Sequence, residues 1–202
     1  MQPRSAQHIP LLSRILWRGN DYEDVDWHAV LDHIKQLVDQ GENVNERAWD
    51  GSTPLMVACL KRLEVPAAEL LGLGADAGLQ CDDRSSALSA AVFSNCPAVV
   101  RMLLRHGGEG VERNALQHGL ERLLHTARLG MDVHRMFFRH HCPDSAVRIA
   151  IAAKAHRLLC DELTAWFEQH QAPAEVRGVE VLQAPCRKQD SSQSRACHIY
   201  LV

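Results

Sequence analysis

The sequence predicts an all-α protein built from stacked pairs of helices, and three observations lead to this fold class. Displaced by 33 residues, the segment from Asp50 to Ala58 aligns with the segment from Asp83 to Ala91, which indicates an internal repeat. Apolar residues recur at spacings of three and four positions, as one face of a helix requires. Glycines follow these periodic segments at the same interval, as they do where helices end.

The first periodic segment runs from Trp27 to Gln40, and Gly41 follows it as a helix-ending glycine. We interpret this segment as the second helix of an incomplete first repeat. Residues 1–24 precede it, with a short amphipathic turn over residues 9–17. This N-terminal segment is expected to cover the open end of the stack, because terminal repeats need a modified outer face.

The first full repeat occupies residues 48–80. Thr53 is a good N-cap and Pro54 suits the first helical position, so the first helix of the repeat is predicted to begin there. Pro66 is predicted to open the second helix in the same way, and Gly74 closes it.

The second full repeat occupies residues 81–110. Ser86 takes the N-cap position, Pro97 lies near the start of the second helix, and Gly107-Gly108 ends it. The repeat register also predicts that four leucines pack between the helices: Leu70, Leu71, Leu103 and Leu104.

Beyond Gly110 the repeat degrades. Two further units, residues 111–142 and 143–170, are each predicted to be a pair of helices, and the second unit serves as a C-terminal cap. In the first unit one helix is predicted to end at Gly130 and the next to run over residues 133–140. Within the first of them, residues 114–119 are expected to form an irregular or helical connection in place of a hairpin. The predicted repeat domain thus covers residues 25–170, and residues 171–202 form a polar C-terminal tail with the composition of a linker.

The segment Thr53-Pro54-Leu55-Met56-Val57-Ala58 is close to the T-P-L-H-x-A signature of ankyrin repeats. Residues 70–76 and 39–45 are similar to the helix end that follows in that family, where leucines precede a glycine and then an aspartate or asparagine. The chain therefore resembles the ankyrin-repeat family. The resemblance implies a solenoid of about four to five helix-pair units with capping terminal units, and it implies binding to another protein.

In that family the binding surface is formed by hairpin fingers and by the exposed side of each first helix. Carried onto this sequence, the resemblance implies a row of partner-binding residues: Trp49, Asp50, Ser52, Lys61, Asp82, Asp83, Phe93 and Arg128. For Trp49 two alternatives stay open, a solvent-facing interface anchor or packing against a neighbouring finger or the N-terminal segment. Phe93 has the same choice between the interface and the core.

The aspartates of the row also have two interpretations. Asp50, Asp82 and Asp83 are residue types common in turns, where they contact their own backbone or water. If they act together, they favour a basic partner surface and an association rate that depends on salt.

No metal site or cofactor is expected. His134, His140, His141 and Cys142 are close in sequence, but a structural zinc site needs four ligands at defined spacings, and no C-x-x-C pair completes the set. Adjacent histidines on one helix also point in different directions. Purified protein is therefore expected to carry no stoichiometric zinc.

No catalytic residue is predicted, and we expect the protein not to be an enzyme. The sequence contains no nucleophile elbow, P-loop or G-x-G-x-x-G motif. Cys142 and Cys160 have charged neighbours, so a cryptic enzyme that uses a Cys/His pair stays open as a distant alternative.

The composition indicates which classes of partner and which cellular compartment to expect. A net charge of −3 gives no reason to expect nucleic acid or a membrane surface as the partner. The seven cysteines form no C-x-x-C pair, and no signal sequence precedes the repeats, so a cytoplasmic monomer is expected. A protein delivered into a host cell without a cleaved signal would have the same features.

The function predicted from these features is a protein–protein interaction module. Its short, stand-alone architecture fits a dedicated inhibitor or immunity-type protein that neutralises another protein. A bacterial effector that docks on a host protein is the alternative. The fold alone does not separate these roles, because the same architecture serves inhibitors, adaptors and targeting modules.

Overall fold

The computed structural model describes Ser13, Leu16, residues 27–142 and residues 144–170. From residue 27 onward these residues form α1 (Trp27–Asp39), α2 (Pro54–Leu60), α3 (Glu64–Gly72), α4 (Ala87–Phe93), α5 (Pro97–His106), α6 (Gly108–His118), α7 (Leu120–His141) and α8 (Ser145–His170). No β-strand occurs within these ranges, and the predicted all-α fold is confirmed. The predictions for the N-terminal segment (apart from Ser13 and Leu16) and for the tail 171–202 lie outside the described residues.

The helices stack in two parallel layers. The first helices of the units, α2, α4 and α7, pack against one another in that order, and the second helices, α1, α3, α5 and α8, do the same. Within each unit the two helices also contact each other. Each unit therefore buries its apolar face against its neighbours, as repeat architectures do.

The predicted starts of the first helices are confirmed by hydrogen bonds. The Thr53 hydroxyl accepts from the Met56 backbone N–H at 3.4 Å, and Pro54 is the first residue of α2. Ser86 and Ser89 form a reciprocal capping box at the start of α4. One start differs from the prediction, because α3 begins at Glu64 and places Pro66 third in the helix. A proline is tolerated there, since the first-turn N–H groups have no partner within the helix.

Equivalent positions of consecutive repeats share unusual backbone angles. Three pairs of residues 33 positions apart have positive φ: Gly41 (100°) and Gly74 (90°), Gly51 (79°) and Arg84 (66°), Arg62 (61°) and Asn95 (57°). Because such angles are disfavoured for residues with a Cβ, their recurrence is strong evidence that the repeats share one conformation. The predicted 33-residue register is therefore the structural register.

The core confirms half of the predicted leucine set. Leu70 and Leu103 are fully buried, whereas Leu71 and Leu104 are only half-buried. The difference follows from helix geometry, because adjacent residues lie about 100° apart around the axis and only one of them can face the core centre. Leu16, from the predicted N-terminal segment, is also fully buried and belongs to the same core.

Two ion pairs join consecutive second helices. The Lys35 Nζ lies 3.1 Å from the Glu69 Oε1 between α1 and α3, and the Arg101 Nε donates to the Glu162 Oε1 at 2.6 Å between α5 and α8. Lys35 and Arg101 are 66 positions apart, which is two repeats. The same position of the repeat thus supplies the basic side chain of both ion pairs.

The units after Gly110 differ from the prediction. Each predicted helix pair is instead one long helix, α7 with 22 residues and α8 with 26. Gly130, which suggested a break, lies inside α7 where that helix crosses α4. A Cβ at Gly130 would lie 1.8 Å from the Phe93 carbonyl oxygen, so the glycine permits close helix packing and does not end the helix.

α6 occupies the place where a third finger would follow in the repeat pattern. Gly78 and Gly110 approach so closely that a Cβ on either would lie within 2.7 Å of the other's Cα. The buried Asn114 side chain donates to the Gly78 carbonyl oxygen at 3.1 Å and accepts from Gln80 Nε2 at 2.7 Å. Of the two forms that the sequence left open for residues 114–119, the helical one is found over most of them, since α6 ends at His118.

Candidate protein-binding face

Two short turns project from the stack, finger 1 (residues 48–52) and finger 2 (residues 81–85). In finger 1 the Gly51 N–H donates to the Ala48 carbonyl oxygen at 2.9 Å, and the Ala48 N–H donates to the Ser52 carbonyl oxygen at 2.9 Å. Finger 2 has the equivalent bonds at 3.0 and 2.9 Å. The Asp82 N–H donates to the Asp50 carbonyl oxygen at 3.2 Å and joins the two fingers. The fingers are therefore small hairpins linked into one row.

Two of the predicted aspartates hold the turns themselves. The Asp50 Oδ1 accepts from the Ser52 N–H at 3.0 Å and from the Ser52 hydroxyl at 2.7 Å. The Asp83 Oδ1 accepts from the Ser85 N–H at 2.8 Å and from the Cys81 thiol at 2.7 Å. The side-chain-to-backbone bond is the typical role of aspartate in a turn. The structure thus assigns these carboxylates a structural role.

The Cys81–Asp83 contact affects both ionisable groups. Burial raises the pKa of the Cys81 thiol to about 11, and the neighbouring Asp83 carboxylate acts in the same direction. Partial burial by itself would raise the pKa of Asp83, but the hydrogen bonds from Cys81 and Ser85 lower it below its ordinary value. At neutral pH finger 2 therefore contains a protonated thiol and an ionised carboxylate.

Trp49 occupies the corner of finger 1, at the position that Asp82 takes in finger 2. Its side chain is 59% exposed, so the solvent-facing alternative describes it. The hydrogen bonds of the turn fix the backbone that carries this exposed indole.

The structure places the remaining row residues in different surroundings. Lys61 and Phe93 are half-buried at the ends of α2 and α4, and the Phe93 backbone lies against Gly130 of α7. Arg128 lies on the side of α7 that faces α8, where its charge acts on His156 and Cys160. Arg128 is thus not brought together with the fingers.

Sequence reasoning missed a set of exposed apolar residues on α7. Leu129, Met136 and Phe137 are exposed, although they lie within the last helix of the first layer. Their spacing of seven and eight residues is a helical signal. It was not recognised because the sequence suggested a break at Gly130 in the middle of the set.

Two of the histidines considered for zinc binding stack on aromatic rings. His134 stacks on Phe138 with 5.9 Å between ring centroids, and His141 stacks on Phe137 at 4.8 Å. Over residues 27–142 and 144–170, no group of three or more His, Cys, Asp or Glu side chains is arranged to hold a metal ion.

A cysteine and a histidine do meet on α8. The Cys160 Sγ lies 3.7 Å from the His156 Nε2. Burial raises the pKa of Cys160, and it lowers the pKa of His156, with Arg135 and Arg128 acting in the same direction. A reactive thiolate–imidazolium pair needs a lowered cysteine pKa and a raised histidine pKa. Both pKa values here are shifted the other way, so this contact does not activate the Cys160 thiol as a nucleophile.

Three histidines around α7 resist protonation. Burial lowers the pKa of His134, and the Arg62 guanidinium adds to the effect. Burial also lowers the pKa of His118 and His156, again with nearby arginines acting in the same direction. Since the unfolded chain binds protons below pH about 6.5 while these folded sites resist them, acidification favours unfolding.

We therefore expect the free energy of unfolding to fall as the pH decreases from about 7.5 to about 5.5. His134→Leu removes one of the responsible groups and should make this fall shallower. Urea unfolding of both proteins across that pH range measures the effect, with His33→Leu on the exposed side of α1 as the matched control. An identical pH dependence in wild type and His134→Leu would contradict the assignment.

Among the helices described, none is both long and apolar enough to cross a membrane.

Comparison with known proteins shows which family the repeats resemble. No curated protein matches the chain. The family model described as "Ankyrin repeats (3 copies)" matches residues 27–115, which run from the start of α1 into α6. Residues 27–115 are therefore ankyrin repeats, and such repeats generally act as protein–protein interaction modules.

Proposed function

We propose that this protein binds another protein through the finger row and the adjoining ends of the first helices, with Trp49 as the anchor. The observation that carries the proposal is the exposed indole at the corner of a turn that its own hydrogen bonds hold rigid. Aromatic side chains of this kind dominate the energetics of many protein interfaces.

The charge of the finger row indicates which kind of surface the partner presents to it. Asp50, Asp82 and Asp83 are all exposed, and the two fingers that carry them are joined by a backbone hydrogen bond. A complementary partner surface is basic. Its electrostatic attraction to the fingers would extend over a distance that the salt concentration sets. Asp82 is the position to vary, because it occupies the corner of finger 2, which is equivalent to the position of Trp49 in finger 1.

We propose further that the protein works as a dedicated inhibitor of its partner. The binding row consists of short turns fixed by hydrogen bonds, and a row that needs little ordering can bind tightly over a small area. An inhibitor of this kind forms a one-to-one complex that removes the partner's activity. Titration of that activity with the purified protein should reach zero at equimolar protein.

Trp49→Ala is expected to weaken the complex by about 2 kcal/mol or more and to leave the melting temperature almost unchanged. The reason is that the exposed indole supports little packing within the stack. The partner is captured from native cell lysate with tagged wild type, identified by mass spectrometry, and its affinity for each variant is measured by calorimetry. Val65→Ala, at an exposed apolar position of α3, is the matched control.

Equal affinity of wild type and Trp49→Ala would reject finger 1 as the binding site. Asp82→Lys tests the charge separately, and it should slow association more at low salt than at high salt. A salt-independent change would show that Asp82 does not contribute to steering.

A further inference from the structure

The helix α8 carries a line of exposed residues on the side that its neighbours do not cover. Its buried residues pack toward α5 and α7. On the other side, exposed residues follow one another at alternating intervals of four and three positions, as one side of a helix requires. We call this line the α8 face, and its members are Val147, Ile151, Lys154, Leu158, Asp161, Ala165 and Glu168.

The α8 face begins with apolar residues and has another at its centre. Val147 is 62% exposed and Ile151 is 64% exposed, and Leu158 is exposed as well. The terminal unit of a repeat array normally presents a polar outer surface to water. Large apolar groups that instead remain exposed in one line indicate a binding surface.

The charged residues of α8 are divided by sign between its two halves. Residues 145–157 contain all of its Lys and Arg and no acidic residue, whereas residues 158–170 contain all of its Asp and Glu and no Lys or Arg. Glu162 is paired with Arg101 of α5. Within the part of the chain that the structure describes, the other charged residues form no ion pair: Arg148, Lys154, Arg157, Asp161 and Glu168.

This order of charges does not stabilise α8 by itself. A helix is stabilised by acidic residues in its first turn and by basic residues in its last turn, because of its dipole. In α8 the first turn contains Arg148 and no acidic residue, and the last turn contains Glu168 beside His170. Asp144, which has the favourable sign, lies before the helix begins.

A second copy of the same helix supplies the missing complement. When two identical helices lie antiparallel about a two-fold axis, each residue before the axis faces the residue equally far beyond it on the other copy. With the axis at Leu158, the basic half of each helix faces the acidic half of the other, whereas a parallel pair would bring like charges together. The facing residues are then Leu158 with its own copy, Lys154 with Asp161, Ile151 with Ala165, and Arg148 with Glu168.

We propose that the protein forms a homodimer in which the α8 faces of two copies pack antiparallel. The proposal replaces the monomer that the composition led us to expect. It goes beyond the proposed function and is independent of it, because the α8 face contains no residue of the finger row. The dimer presents two finger rows, so the equimolar ratio of the proposed complex is unchanged.

The test measures the sedimentation velocity of the full chain over roughly a hundredfold range of concentration, in which wild type should shift from monomer to dimer. Leu158→Glu places two carboxylates at the axis and should weaken the dimer by tenfold or more. Val65→Glu, at an exposed apolar position of α3, is the matched control and should leave the dissociation constant within about twofold.

Two results of this experiment would overturn the proposal. A wild type that is monomeric at every concentration would leave the α8 face to a different occupant. Equal dissociation constants for wild type and Leu158→Glu would mean that the copies associate through another surface.

A pair of charge reversals tests the facing residues directly. Lys154→Glu and Asp161→Lys each bring like charges together at two symmetric places, so each variant alone should dimerise at least about tenfold more weakly than wild type. In an equimolar mixture every reversed charge faces an opposite charge on the other variant, and association should return to within about threefold of wild type. A mixture as weak as the single variants would reject the proposed pairing.

Trp49→Ala separates this inference from the proposed function. Its side chain lies outside the α8 face, so the variant should leave the monomer–dimer equilibrium unchanged. Loss of the natural complex in Trp49→Ala with an intact dimer supports the fingers alone or both proposals, and the charge reversals then decide the dimer. Circular dichroism of each variant verifies that the helices are retained.

Discussion

Gly130→Ala is expected to lower the free energy of unfolding by about 3 kcal/mol or more. Helix propensity alone predicts that this variant is more stable than wild type, because alanine in a helix is favoured over glycine by about 1 kcal/mol. The added Cβ, however, would lie 1.8 Å from the Phe93 carbonyl oxygen and 2.8 Å from its carbon. Backbone atoms cannot rotate aside, so α7 must move away from α4 and open the core around Ala127.

Gly72→Ala is the matched control, because this exposed glycine also lies in a helix and a Cβ there would meet nothing within 4 Å. It should be neutral or stabilise by up to about 1 kcal/mol. Urea unfolding followed by circular dichroism measures both variants. A Gly130→Ala protein as stable as wild type would mean that α7 and α4 are less closely packed than described.

Asn95→Asp is expected to cost about 3–5 kcal/mol at neutral pH, although it replaces only an amide nitrogen by oxygen. Asn95 is fully buried, and its Nδ2 donates to the Ala152 carbonyl oxygen at 2.9 Å, which ties the α4–α5 link to α8. Among the residues that the structure describes, its Oδ1 has no hydrogen-bond partner. An aspartate there would place a charge with no donor against a carbonyl oxygen.

The pH dependence separates this explanation from a steric one. A protonated carboxyl group can again donate to the Ala152 carbonyl oxygen, so the difference from wild type should shrink as the pH falls toward about 4. Asn43→Asp is the control, since Asn43 is exposed and its Oδ1, which an aspartate retains, accepts from the Asn45 N–H. A cost of Asn95→Asp that is the same at every pH would exclude the buried charge as its cause.

The two full repeats could be predicted from sequence because their signals are local. Thr53 and Ser86 cap their helices with groups three residues away, and the turn glycines act through their own φ angles. Such contacts depend on neighbours in the chain, so one sequence contains the information needed. The same holds for Trp49, whose place at a turn corner follows from the turn itself.

The last unit could not be predicted, because its decisive contacts are between distant segments. A glycine such as Gly130 suits both a helix end and a close helix crossing, and only its position against Phe93 separates the two. The position of Arg128 beside α8 and the arrangement of the exposed residues Leu129, Met136 and Phe137 both depend on α7 being continuous. For one continuous helix, helical periodicity alone predicts that these three residues lie on the same side.

The replacement of the third finger by α6 determines where this array can grow. The boundary between the two full repeats lies between Gln80 and Cys81. A duplicated 33-residue unit inserted there would contact a full repeat on each side, through the same kind of interface that the two full repeats already share. After Gly107 the same unit would displace α6 and separate Gly78 from Gly110, together with the Asn114 contacts. Lengthening by gene duplication is thus open within the array and closed at its C-terminal end, and a longer binding row can be engineered by insertion between the two full repeats.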